Sequence, residues 1–189
     1  MNGSEQFHIK LSNNFERTQQ KLIRDRYGKN QAGLVKFVEL IQKFIKFLSI
    51  DPRPRPPLGH LERFPQGCSR DGLELWKLEF KMPQLRGAAE QGRLIYLLDF
   101  RKKEVVLVWI YTHAEFEKRP PDKNLKHLLI EIMDNYEVSD ESKNLDDSGD
   151  DETGEDKVGE LERINQMTVK VHNQNVAFIT GKGGSDFDC

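Results

Sequence analysis

Residues 73–111, LELWKLEFKMPQLRGAAEQGRLIYLLDFRKKEVVLVWIY, contain three strand-like segments in succession. The segments are Leu73–Phe80, Arg93–Phe100 and Val105–Tyr111, each rich in leucine, β-branched and aromatic side chains. A loop over Pro83–Gly92 and a turn over Arg101–Glu104 separate them. Consecutive strands with short connections favour an antiparallel meander.

The chain before the meander has one strand pattern and two helical patterns. Apolar and polar residues alternate from Phe7 to Ser12, which predicts a short strand with one buried face. A weakly amphipathic segment over residues 15–27 follows, with Asn13 or Asn14 placed to cap it. From Leu34 to Leu48 the apolar residues recur near a 3.6-residue period, which is the strongest helix signal in the chain.

A proline-rich segment and a last helix complete the predicted domain. Asp51–Pro57 holds four prolines and two arginines, which disfavours helix and favours an extended crossing. After Pro120-Pro121, the apolar residues from Leu125 to Met133 return to helical spacing. The predicted order is therefore strand, helix, helix, three strands, helix. It indicates an α+β fold, a small antiparallel sheet with helices mainly on one face.

Charge divides the chain into two unlike parts. Residues 1–135 carry 24 Lys and Arg against 17 Asp and Glu, a net +7, whereas residues 136–189 carry 5 against 14, a net −9. A basic folded part suits a polyanionic partner such as RNA. The near-neutral total of −2 conceals this asymmetry.

The same composition predicts the domain boundaries. Residues 1–135 form the α+β domain. Residues 136–165 are dominated by Asp, Glu, Ser and Gly, and they form an acidic disordered linker because almost nothing there can be buried. Residues 166–189 could form a short hairpin followed by a flexible C-terminus.

The cysteine content and the hydropathy of the chain indicate which cellular compartment suits the protein. Cys68 and Cys189 are the only cysteines, and no further ligands of metal spacing accompany them. We therefore predict neither a disulfide framework nor a metal site, and no cofactor. No apolar run approaches the roughly 18 residues that span a bilayer, so we expect a cytoplasmic protein without membrane contact.

Four motifs follow one another through the meander. They are Trp76-Lys77-Leu78-Glu79, Gly92-Arg93-Leu94-Ile95-Tyr96, Val105–Ile110 and Glu117-Lys118-Arg119-Pro120-Pro121. The succession resembles the sheet of the RelE/ParE toxin superfamily, in its RelE-like mRNA interferase branch, and covers roughly residues 6–133. The chain departs from the pattern where family members often have Glu and then Arg, since it has Lys77 and Glu79 there. His113 likewise occupies a position that is usually basic.

The resemblance implies the toxin of a type II toxin–antitoxin pair, a metal-independent RNA endonuclease that cuts messenger RNA on the ribosome. Its partners would be a cognate antitoxin protein and RNA. In the implied chemistry a ribose 2′-hydroxyl attacks the neighbouring phosphorus. This reaction needs a base near the hydroxyl, cations around the phosphate and an acid for the leaving oxygen.

Two residues are the catalytic candidates. A guanidinium matches the oxygens of a phosphate, so Arg93 would contact the phosphate in the transition state. His113 would be the general acid or base, because an unperturbed histidine titrates near neutral pH. Both also have a structural alternative, Arg93 as a solvated surface arginine and His113 as a histidine satisfied by its neighbours.

The predicted RNA-binding residues share a cationic or aromatic side chain in or near the meander. Cations would bind phosphate, and aromatic rings would stack on bases, although Phe116 could instead be a core residue. The set is Lys77, Lys81, Arg86, Tyr111, Phe116, Lys118 and Arg119.

Two other functions remain open on the sequence alone. The sheet face or the helix over residues 34–48 could bind a protein partner, which would make the chain a non-enzymatic interaction module. Members of the ParE branch act on gyrase instead of RNA, so a gyrase-directed toxin is the second alternative.

Overall fold

The predicted meander forms the centre of the fold. A computed structural model describes the backbone of residues 6–141 and the side chains of residues 6–134. Strands β3 (Leu73–Lys81), β4 (Gln91–Asp99) and β5 (Glu104–Thr112) pair antiparallel. A 3-10 turn over Gly87–Glu90 lies in the longer connection. The α+β class is confirmed.

Two short strands extend the meander at its edges. Strand β1 (His8–Leu11) pairs parallel with β5, and β2 (Gly59–Leu61) pairs antiparallel with β3. The order across the sheet is β1-β5-β4-β3-β2. The sheet is therefore mixed instead of purely antiparallel. Alternation within a strand does not say which neighbour the strand will have, and β2 is too short to show any alternation.

The first two helices cover one face of the sheet. They are α1 (Asn13–Leu22), which continues as a π-helical segment over Ile23–Tyr27, and α2 (Gln31–Leu48). The phenyl rings of Phe44 in α2 and Phe80 in β3 lie 4.7 Å apart. Strand residues on this face, such as Leu78 and Leu94, are fully buried. Both predicted N-terminal helices are thus present and amphipathic as expected.

The third helix, α3 (Asp122–Glu141), packs on the opposite face. Leu125, Leu129 and Met133 of this helix join Ile95 and Val106 of the sheet in one buried cluster. Two helices therefore lie on one face and one on the other, because both faces of β4 and β5 are apolar and need cover.

Side chains of Ser12 and α1 hydrogen-bond to the backbone of β5 beyond the residues that pair with β1. Asn14 Nδ2 donates to Val108 O at 3.0 Å, and Ser12 Oγ donates to the same oxygen at 3.3 Å. The backbone N–H of Ile110 donates to Thr18 Oγ1 at 3.3 Å. Ser12 also caps α1 by accepting from the N–H of Phe15, so the prediction that Asn13 or Asn14 is the cap was wrong.

Replacing Asn14 by alanine is expected to destabilise the protein by about 1–2 kcal/mol, because a buried carbonyl loses its better donor. The higher helix propensity of alanine offsets a few tenths of this loss. Urea denaturation measures the effect. Asn13→Ala is the control, since Asn13 is exposed in the same turn. Equal midpoints for both variants would show that the bond to Val108 contributes nothing.

The proline-rich crossing is anchored to the sheet. Arg53 donates to both carboxylate oxygens of Glu74, at 2.9 and 2.5 Å, and its guanidinium lies 3.7 Å from the Phe100 ring centroid. The hydrogen bonds from Arg53 hold the pKa of Glu74 below its usual value. Tyr96 donates from its hydroxyl to Pro52 O at 2.7 Å. Arg53 therefore has a structural partner within the fold.

The C-terminal predictions fall largely outside the described residues. Helix α3 is described to Glu141, six residues past the predicted end of the domain at 135. The remainder of the predicted linker over 136–165 and the predicted hairpin over 166–189 lie outside. Within the described residues, no helix has the length and apolar character that a membrane span requires.

Candidate active site

Charged residues lie on the sheet face that packs against α3. They are at the end of that face that the apolar residues of α3 do not cover. The register pairs Glu79 with Arg93 and Arg93 with Tyr111, so these three side chains lie in one row across β3, β4 and β5. A second row pairs His60 of β2 with Lys77 and Lys77 with Ile95. Since Ile95 belongs to the α3 cluster, both rows lie on the α3 face.

Charged side chains of these rows form a connected set with Glu62, just after β2, and Arg119, in the segment after β5. The set is here called the charged network: Glu62, Lys77, Glu79, Arg93 and Arg119. Lys77 Nζ lies 3.0 Å from Glu62 Oε2 and 3.5 Å from Glu79 Oε1. Arg93 Nε lies 3.8 Å from Glu79 Oε1, and Arg119 Nη1 lies 3.3 Å from Glu62 Oε1. Three cations thus share two carboxylates.

Burial differs sharply within the charged network. The Lys77 side chain is 11% exposed, and two carboxylates flank its ammonium group. Such pairing offsets part of the cost of burying a charge. The Glu79 side chain is 44% exposed. Glu79 is therefore the more exposed carboxylate of the charged network. A molecule in solution can reach it, and Lys77 and Arg93 lie next to it.

Arg93 hydrogen-bonds to the segment that follows β5 and so holds it against the sheet. Its Nη1 donates to the carbonyl oxygens of Phe116, Glu117 and Lys118, with distances of 3.0 Å to Phe116 and Lys118. Tyr111 donates from its hydroxyl to Lys118 O at 3.0 Å. Burial raises the pKa of Tyr111, so its hydroxyl stays protonated at neutral pH and can keep donating.

Arg119 connects three elements around the charged network. Besides Glu62, its guanidinium donates to Arg63 O at 2.6 Å and to Asp122 Oδ1 at 2.5 Å. Asp122 is the first residue of α3, where a negative charge is favourable to the helix dipole. The guanidinium therefore joins the segment after β2, the loop after β5 and the start of α3.

The structure brings six of the nine predicted site residues together. Lys77, Arg93 and Arg119 are in the charged network, and Lys118 contributes its carbonyl oxygen next to it. The other two are Tyr111 and Phe116, whose rings make an edge contact with centroids 5.7 Å apart. Phe116 also packs against the buried cluster under α3, which is the core role left open for it, and Tyr111 is fully buried.

The other three predicted residues lie at the end of the sheet beside the β3–β4 connection. Lys81 is 87% exposed and pairs with Glu90 at 3.2 Å, and Arg86 is exposed just before the 3-10 turn. His113 follows β5, and its N–H donates to Gln91 O at 2.8 Å. Its Nδ1 is buried and has no hydrogen-bond partner among the described residues.

Sequence reasoning missed His60 and Glu62. His60 Nε2 lies 3.7 Å from Glu62 Oε2, and both residues come from the segment that forms β2 and its end. A three-residue strand after a proline-rich crossing shows no periodicity, so no pattern in the sequence points to these two. Glu79 was detectable, because it stands two positions from Lys77 in a predicted strand and thus on the same face.

The comparisons with known proteins find likeness only in structure. No protein-family model matches the chain, and no curated protein matches its sequence. An archaeal RelE–RelB complex from Pyrococcus horikoshii OT3 is similar over 58% of this chain and 97% of that chain, with 14% identity and a TM-score of 0.37. A mutant of the E. coli toxin RelE in the free state is similar over 59% of this chain and 88% of that chain, with 13% identity and a TM-score of 0.34.

Proposed function

We propose that the chain is the toxin of a type II toxin–antitoxin pair and cleaves messenger RNA without a metal ion. The observation that carries the catalytic part is the placement of Glu79, half exposed, between Lys77 and Arg93. A carboxylate flanked by two cations offers a proton acceptor and phosphate ligands within one small area. RNA cleavage through the 2′-hydroxyl requires both.

In the proposed reaction Glu79 accepts the proton of a ribose 2′-hydroxyl, and the 2′-oxygen forms a bond to the adjacent phosphorus. Lys77 and Arg93 stabilise the negative charge that grows on the phosphate oxygens. The bond from phosphorus to the 5′-oxygen breaks, which yields a 2′,3′-cyclic phosphate and a 5′-hydroxyl end. The step consumes no water and no cofactor, and the leaving oxygen takes up one proton.

Affinity for RNA is expected to come from cations that border the charged network. The network with Asp122 contains three cations and three carboxylates, so it is nearly neutral as a unit. Arg63, Lys118 and Lys123 are exposed beside it and have no carboxylate partner among residues 6–134. Such cations bind the RNA backbone in a salt-dependent manner.

Replacing Glu79 by glutamine is expected to lower the rate of RNA cleavage by about 10²–10³-fold, because the amide cannot accept the proton. The measurement is single-turnover cleavage of a labelled RNA by the purified full chain, with EDTA present. Glu39→Gln on the exposed side of α2 is the matched control and should cleave like the parent.

Expression in bacteria provides a second readout of the same proposal. The parent should arrest growth with loss of intact mRNA, and the Glu79 variant should not. Normal growth with intact mRNA for the parent chain would refute the ribonuclease. A DNA-damage response in its place would indicate a gyrase-directed toxin, and a stably co-purifying protein without RNA cleavage would indicate an interaction module.

The proposed partner is a cognate antitoxin protein, as the resemblance of the 73–111 strands to RelE/ParE toxins implies. The proposed compartment is the cytoplasm, where messenger RNA on ribosomes is available. Co-expression with the antitoxin should restore growth.

A further inference from the structure

The proposed reaction still requires an acid for the leaving 5′-oxygen. Within residues 6–134, His60 is the histidine that lies next to the charged network. His60 lies on the α3 face in the same row as Lys77, since the register pairs the two residues. Its side chain is 44% exposed, and its Nε2 lies 3.7 Å from Glu62 Oε2. His60 is therefore both accessible and held beside a carboxylate.

We propose that His60 is the general acid of the ribonuclease, with Glu62 as the residue that positions it; the inference rests on the proposed function. Glu62 would orient the imidazole ring, because its Oε2 lies 3.7 Å from Nε2 of His60. Lys77 then separates the two proton-transfer groups, because it contacts Glu62 on the His60 side and Glu79 on the other. Base, cation and acid would follow one another across β2 and β3.

The arrangement also matches the requirements of an in-line displacement. The attacking and leaving oxygens lie on opposite sides of the phosphorus, so the base and the acid must flank the phosphate. Glu79 pairs with Arg93 in one row of the sheet and His60 pairs with Lys77 in the next. In the balanced step, the proton of the 2′-hydroxyl passes to Glu79 while the Nε2 or Nδ1 proton of His60 passes to the 5′-oxygen as the P–O5′ bond breaks.

His113 is the competing candidate for this role. It follows β5, and its backbone N–H donates to Gln91 O. Its Nδ1 is buried and has no hydrogen-bond partner in the described part of the chain. Within the same residues it forms no ion pair with the charged network. His60 is favoured because its side chain is 44% exposed and can reach a substrate from solvent, and because it lies next to Glu62 of the charged network.

The test uses two RNA substrates of identical sequence. One has the natural 5′-oxygen at the scissile bond and the other has a bridging 5′-sulfur, which leaves as a thiolate without needing protonation. On the oxygen substrate His60→Ala should be slower than the parent by about 10²–10³-fold. On the sulfur substrate the variant should cleave within a few-fold of the parent.

Two further variants make the result specific. His127→Ala, at an exposed position of α3, should match the parent on both substrates. Selective recovery by sulfur in His113→Ala, and not in His60→Ala, would overturn the assignment. Thermal melting of each variant shows that it is folded before rates are compared.

The outcomes separate this inference from the function on which it rests. If the parent cleaves both substrates and His60→Ala is equally slow on both, or unimpaired, His60 is not the acid, although the ribonuclease stands. If the parent cleaves neither substrate, the proposed function itself fails. Recovery of His60→Ala on the sulfur substrate alone supports both.

Discussion

Arg93→Met is expected to destabilise the protein by about 2–4 kcal/mol and to lower cleavage by at least about 10³-fold. The stability loss follows because three backbone carbonyls of residues 116–118 lose a charged donor, and hydrogen bonds to charged groups contribute about 1.5–3 kcal/mol each without adding fully. The methionine keeps most of the side-chain volume. The loss therefore reports on the guanidinium instead of on packing.

The activity loss has two causes that should be distinguishable. The variant removes the proposed phosphate ligand beside Glu79, and it frees the loop that carries Lys118 and Arg119. Arg93→Lys restores the positive charge but not the planar, forked set of donors that a guanidinium has. It should therefore restore the affinity for RNA more fully than the hydrogen bonds that hold the loop.

Urea denaturation and single-turnover cleavage measure the two effects, and hydrogen exchange of residues 113–121 reports on the loop. Arg86→Met is the control for stability, because it makes the same chemical change at an exposed position. A midpoint for Arg93→Met equal to that of Arg86→Met would mean that the carbonyl contacts do not stabilise the fold.

Lys77→Met is expected to destabilise the protein by about 1–3 kcal/mol at pH 7 and to lower cleavage by about 10²–10³-fold. Methionine leaves Glu62 and Glu79 close to each other without the ammonium that separates them. Removing the ammonium from the Lys77–Glu62 pair costs more than the pair contributes, because the remaining Glu62 carboxylate is 16% exposed and poorly solvated. Glu62 keeps Arg119, which limits the loss.

Urea denaturation at pH 7 measures the loss of stability in Lys77→Met, and single-turnover cleavage measures the loss of activity. Lys81→Met is the matched control in the same strand, at a position 87% exposed, and should change stability by less than about 0.5 kcal/mol. A urea midpoint for Lys77→Met equal to that of Lys81→Met would contradict this account.

Much of the site was detectable from strand spacing once the meander was identified. Lys77 and Glu79 stand two positions apart in a predicted strand, and Arg93 occupies the next strand, so one sheet face was a reasonable expectation. Their convergence depended on register, which pairs Glu79 with Arg93 and could not be derived from alternation. Tyr111 shows the limit of such reasoning, because its predicted stacking role requires exposure and the ring is fully buried.

Local pattern alone determined the elements of this protein: the three strands of residues 73–111, the helices over residues 34–48 and 125–133, and the α+β class. These features follow from the spacing of neighbouring residues, which a single segment contains in full. Tertiary structure decided the partners. It placed β1 parallel to β5, used Asn14 to bond Val108 instead of capping a helix, and brought His60 and Glu62 to Lys77 through a strand of three residues. Pairing between distant segments depends on the packing of the whole sheet, and no local pattern encodes it.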